Sequence, residues 1–107
     1  MAYGFNNDKS IANLKDLIIR RTFQSENVNI PANGGTGITV EAAVPGYTPL
    51  AITRLQNNRG SLVIANGYYW SGGNLVAYNK NTANTQQTGV YVIVDIVYIR
   101  SDCITIG

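Results

Sequence analysis

Apolar and polar residues alternate along most of this chain, and in one stretch the alternation breaks down. Ile38, Val40 and Ala42 point one way in an extended backbone while Thr39 and Glu41 point the other, the period of a strand with one wet face. Residues 18–23 run into Val28-Asn29-Ile30 with the same period. Further strands are expected at 50–55, at 61–69 with Leu62 and Ile64 on one face, and at 74–79. Between them lie turn residues: the Pro- and Gly-rich loop 31–37, Pro45-Gly46-Tyr47, a hairpin at 56–60, Ser71-Gly72-Gly73 and the polar stretch 81–88. Residues 89–100 differ. Val90, Val92, Val94, Ile96 and Tyr98 share one face, and Tyr91, Ile93, Asp95, Val97 and Ile99 share the other. Only Asp95 is charged, so this strand should be covered on both sides.

About seven strands separated by turns every 8–12 residues predict an all-β fold, an antiparallel β-sandwich of jelly-roll-like form. One domain should span residues 1–107, with 1–17 as an N-terminal arm or short helix and 18–107 as the sandwich. Ser10 is placed to cap that helix, with Ile11, Leu14 and Leu17 on one side. Ile104 and Ile106 would add a short last strand. In a two-layer sandwich each strand has one inward face. The second face of 89–100 (Tyr91, Ile93, Asp95, Val97 and Ile99) therefore needs the N-terminal arm or another subunit, and it is the candidate oligomer interface. Asp95 needs a partner, for which Arg54, Arg100 and Arg21 are available. No second carboxylate or histidine lies near it in sequence, which favours a structural ion pair over a catalytic acid.

Charged residues make up 13% of the chain, about half the usual share. Asn, Gly, Thr and Tyr replace them. Such a surface suits packing against copies of the same chain or against neutral ligands such as sugars, and equally suits a β protein rich in turns. The net charge of +2 comes with a single adjacent basic pair, Arg20-Arg21, so no nucleic-acid partner is expected. No apolar run approaches a membrane span, so no membrane insertion is expected. The first nine residues lack the apolar core of a secretory signal. Cys103 stands alone, which rules out an intrachain disulfide.

The absence of histidine removes Ser-His-Asp and Cys-His catalysis and most zinc sites. The glycines at 34, 35 and 37 have no P-loop lysine after them. The six acidic residues are scattered along the chain. No catalytic residue, metal or cofactor is therefore expected, and the chain reads as a non-enzyme. Tyr68, Tyr69 and Trp70, with Asn74, form the candidate ligand-binding site. Flat aromatic rings beside amides suit either a sugar ring or a protein interface. The competing reading places Tyr68 and Trp70 at the end of the core.

The opening Met1-Ala2-Tyr3-Gly4-Phe5-Asn6-Asn7-Asp8-Lys9-Ser10 resembles the starts of small structural proteins of phages and prophages of gut bacteria. Gly46-Tyr47-Thr48-Pro49-Leu50-Ala51-Ile52, with a closing strand like 90–100, resembles the C-terminal domains of phage tail-fibre and head-fibre proteins. The resemblance implies a virion structural protein: a fibre head, cap or decoration domain, made in the bacterial cytoplasm and located in the virion. It implies a homo-oligomer, with a trimer favoured, and other virion proteins or host-surface glycans as partners. The chain lacks the long repetitive shaft of a full fibre. A stand-alone carbohydrate-binding module without a virion role is the alternative reading.

Overall fold

Because successive side chains of a strand point to opposite faces, the alternating segments can each bury one face only by meeting a second sheet. The structure, a computed structural model, describes residues 16–103. Eight strands carry it: β1 (Ile18–Gln24), β2 (Val28–Ile30), β3 (Gly35–Val40), β4 (Tyr47–Asn57), β5 (Val63–Ser71), β6 (Asn74–Asn81), β7 (Gln87–Val90) and β8 (Val92–Arg100). One three-stranded sheet has the order β1-β8-β4, the other β3-β6-β5, and β2 pairs with β7. Every pairing is antiparallel. The chain is an all-β sandwich.

The core forms where the two inner faces meet. Val92, Val94, Ile96 and Tyr98 of β8 join Ile38 and Val40 of β3, Leu75 and Ala77 of β6, and Val63 of β5 in one buried cluster. Each such aliphatic side chain contributes about 1.5–3 kcal/mol on removal from water. Tyr98 brings a polar tip into this core and satisfies it: its hydroxyl donates to the Ala42 carbonyl at 2.5 Å. Phe23 meets the Tyr98 ring edge-on, with centroids 6.4 Å apart.

The long strand expected at 89–100 is divided at Tyr91 into β7 and β8, opposite a matching break between β1 and β2. Side chains take over the hydrogen bonding at that point. Val92 N–H donates to Ser25 Oγ, and Tyr91 N–H donates to Asn58 Oδ1. Returning backbone bonds run from Ser25 N–H to the Val92 carbonyl and from Asn58 N–H to the Tyr91 carbonyl. The alternation survives the break, since Val90 and Val92 are both buried.

Two local expectations change. Gly35, Thr36 and Gly37 are strand, not loop. A Cβ at Gly35 would strike the Tyr78 ring, and one at Gly37 would crowd Val76 Cγ1. The glycines are thus covered by side chains of β6, the arrangement by which an aromatic shields a glycine on an edge strand. Residues 56–60 do not close a hairpin, because β4 and β5 belong to different sheets. They form an arch between layers, tied by Asn57 Nδ2 to the Val63 carbonyl (2.7 Å) and by Asn58 Nδ2 to the Gly89 carbonyl (3.0 Å). Gly60–Leu62 is a 3₁₀ turn leading into β5, where Leu62 and Ile64 share the outward face as expected and Val63 between them is buried. The helix expected from Ser10 and the strand expected at Ile104 and Ile106 fall outside the described residues, apart from Asp16 and Leu17, which lead into β1 as a turn and bend.

Candidate functional site

The β5–β6 hairpin carries the aromatic run. Gly72 (φ 58°) and Gly73 (φ 86°) form its two-residue turn, and both lie in the left-handed region that the mirror-image hairpin turn requires. Along β5, Tyr68 and Trp70 oppose Ala77 and Leu75, whose side chains are buried in the core. The two rings therefore lie on the inner side of the sheet. They are at its edge, where they border a gap of about 60 Å³ with Pro49, Leu50, Ala51 and Ile52 of β4. Tyr68 nevertheless remains 50% exposed and Trp70 39%. Tyr69 points the other way, opposite Val76, and is 60% exposed.

The four candidate residues thus divide between two places. Tyr68 and Trp70 lie together against β4. Tyr69 and Asn74 lie on the outer face of the β3-β6-β5 sheet, since Asn74, Val76, Tyr78 and Lys80 alternate with the buried Leu75, Ala77, Asn79 and Asn81. Tyr78 joins them there, 42% exposed and diagonal to Tyr69. Its ring leans the other way, over Gly35 of β3, so the two phenols share this face as separate exposed rings. Sequence reasoning missed Tyr78. The signal was its alternation with the two asparagines of β6, which becomes readable only once those asparagines are known to be buried.

The candidate interface on β8 keeps its geometry. Ile93, Asp95, Val97 and Ile99 occupy the outer face of the β1-β8-β4 sheet, half-buried within a single chain. Their neighbours supply part of that cover. Gln24 and Gln56 flank Ile93, Arg20 and Ala51 flank Val97, and Ile18 and Thr48 flank Ile99. Long polar side chains can lay their stems along apolar surface in this way. Tyr91 sits apart, at the break between β7 and β8.

Asp95 finds its partners across both neighbouring strands. The Thr22 hydroxyl donates to its Oδ1 at 2.6 Å, and Arg54 grips both oxygens, Nε to Oδ2 at 2.9 Å and Nη2 to Oδ1 at 3.3 Å. Of the three arginines available by sequence, register selects Arg54, which stands directly opposite. The Thr22 hydrogen bond and then the Arg54 guanidinium hold the carboxyl below its ordinary pKa. A carboxylate shifted in this direction adds stability that is complete above its unfolded pKa of about 3.9 and is lost as pH falls through the lower folded value. The difference in urea midpoint between the native chain and Asp95→Asn should therefore be constant from pH 7 to about 5 and shrink below about 4. A difference unchanged at pH 2 would show that the charge contributes nothing.

Other reactive groups are similarly engaged. Asp102 is held below its usual range first by Arg100, whose Nη2 lies 2.7 Å from Oδ2. Desolvation, then the neighbouring Asp102, pushes the Cys103 thiol up, away from the thiolate that nucleophilic chemistry uses. Glu26 and Glu41 line one open cleft of about 270 Å³ with Gln24, Ser25 and Thr39. Among the described residues no three metal-ligating side chains converge, and no helix is long and apolar enough to cross a membrane. Compared with known proteins, the chain matches no family, no curated sequence and no solved structure.

Proposed function

We propose that this chain is a structural and attachment module of a phage or prophage virion, working as a homo-oligomer that contacts neutral host-surface glycans and not as a catalyst. The observation that carries this reading is the outer face of the β3-β6-β5 sheet, where Tyr69, Tyr78 and the Asn74 amide share one surface on which Lys80 is the nearby charge. Exposed rings suit the apolar face of a pyranose, and amides and phenols suit its hydroxyls. The sequence resemblance supplies the virion context. The state of the acids agrees with a binding role, because Asp95 is held ionised by Thr22 and then Arg54, and Asp102 by Arg100, which suits neither to general acid work.

Two measurements test the reading. The chain should copurify at fixed stoichiometry with particles released from a strain carrying its gene. Recovery only in the particle-free fraction would remove the virion role. On a glycan array, Tyr69→Ala and Tyr78→Ala should each reduce binding at least tenfold, and unchanged binding in both would clear this face of the role. Glycan binding lost in these variants, with no copurification, favours the stand-alone carbohydrate-binding module instead. The exposed rings on this face give that second reading its support.

A further inference from the structure

Four long strands form the edges of the two sheets, and they differ in how they discourage pairing with another chain. A free edge presents unpaired backbone groups, and proteins usually blunt it with charge, proline, bulges or brevity. β1 carries Arg20 and Arg21. β4 carries Pro49 and Arg54 and shifts register twice. β3 has six residues, and its outward positions are Gly35, Gly37 and Thr39, with no apolar side chain to bury.

β5 is different. Its nine residues, Val-Ile-Ala-Asn-Gly-Tyr-Tyr-Trp-Ser, include no charge and no proline. Among the described residues it pairs with β6 alone. Its one interruption is the bulge between Ala65 and Tyr68, at Gly67. Ile64, Tyr68, Tyr69 and Trp70 are all substantially exposed along it.

We infer that β5 is a pairing edge whose occupant is β5 of a second copy of this chain, running antiparallel across a two-fold axis. The inference rests on the homo-oligomer reading above and names the surface responsible. Charge supports it. In a two-fold antiparallel pair each strand meets its own sequence reversed, and like charges set opposite one another oppose association. Two β1 edges would bring arginines together, as would two β4 edges, whereas two β5 edges bring together no charge at all. Exposed apolar surface supports it as well. Ile64 and Tyr69 project from one face of β5 and Tyr68 and Trp70 from the other, all substantially exposed, so each row meets its copy flank to flank along the joined edge while the ring faces stay open. An isologous contact of this kind builds a dimer with a continuous six-stranded sheet, β3-β6-β5 joined to its symmetry mate. That outcome differs from the trimer expected by resemblance.

Sedimentation equilibrium on the native chain, Ile64→Lys/Asn66→Lys and Ile93→Asp tests the assignment. Urea midpoints verify that each variant is folded. The native chain should sediment at twice its 11.6 kDa mass at tens of micromolar. The β5 variant should associate at least tenfold more weakly, and Ile93→Asp should leave the dimer intact. An oligomer that survives the β5 lysines overturns the β5 assignment while leaving the homo-oligomer reading in place, and its loss in Ile93→Asp would assign the contact to the outer face of β8. A native chain that stays monomeric at 100 micromolar overturns both.

Discussion

Replacing Asn81 by leucine should cost the fold about 3–5 kcal/mol, whereas the same change at Asn79 should cost less than about 1 kcal/mol. The two residues lie on the same face of β6 and are both fully buried. Their hydrogen bonding separates them. Asn81 Nδ2 lies 3.0 Å from each of the Ile30, Pro31 and Thr85 carbonyls, and its Oδ1 accepts from Ala83 N–H at 2.9 Å. One side chain thereby ties the end of β2 and the turn after it to the stretch leading into β7. That stretch is polar, and its anchor is an amide, not an apolar residue. Leucine fits the volume but leaves several backbone groups without partners, at about 1–3 kcal/mol for each that is fully buried. Against a total stability of about 5–15 kcal/mol, such a loss is severe.

Asn79 stands in the opposite position. Its Nδ2 donates to the Ala77 carbonyl, two residues back, at 3.0 Å, and its buried Oδ1 has no partner among the described residues. Ala77 belongs to the central strand, paired on both sides by Ile38 and Tyr68. Removing the amide therefore removes an unsatisfied oxygen and sacrifices one local bond, two effects that nearly cancel. Urea denaturation of both variants measures the contrast directly. If Asn79→Leu proved the more damaging change, the assigned roles of the two amides would be wrong.

These two residues also show where sequence reasoning stops. Period-two patterning identified Ile38, Val40 and Ala42 as an inward row because the signal is local, and all three are buried. It identified β8 for the same reason. The order of strands is not local. Whether 56–60 closes a hairpin or arches between sheets depends on β8 competing for β4, and no feature within those five residues records that competition. Which row of a strand is the inner one is equally non-local: Leu62 and Ile64 share a face as their spacing suggests, yet it is Val63 between them that is buried. The candidate site suffered from a related limit. Tyr68, Tyr69 and Trp70 are adjacent in sequence, but adjacency on a strand sends neighbours to opposite faces, so the residue that joins Tyr69 is Tyr78 of the next strand.

The second large effect is expected on β8. Ile96→Ala should cost about 2–5 kcal/mol, as truncations of buried isoleucine do, and Val97→Ala under about 1.5 kcal/mol. Ile96 is fully buried between the sheets, with Ile52 of β4 and Arg21 of β1 opposite it in the ladder. Its truncation opens a cavity in a core that is thin, so little surrounding structure is available to collapse into it. Val97, the next residue, points to the outer face and is only half-buried in one chain. The contrast tests more than stability. A residue covered by its own chain loses the same free energy at every protein concentration, whereas one covered by a second copy loses more as association becomes complete. Denaturation of Val97→Ala at 1 and 100 micromolar should give the same small difference from the native chain if the contact between copies lies at β5. A difference that grows with concentration would place the second copy on the outer face of β8, where the two apolar faces of this strand first suggested it.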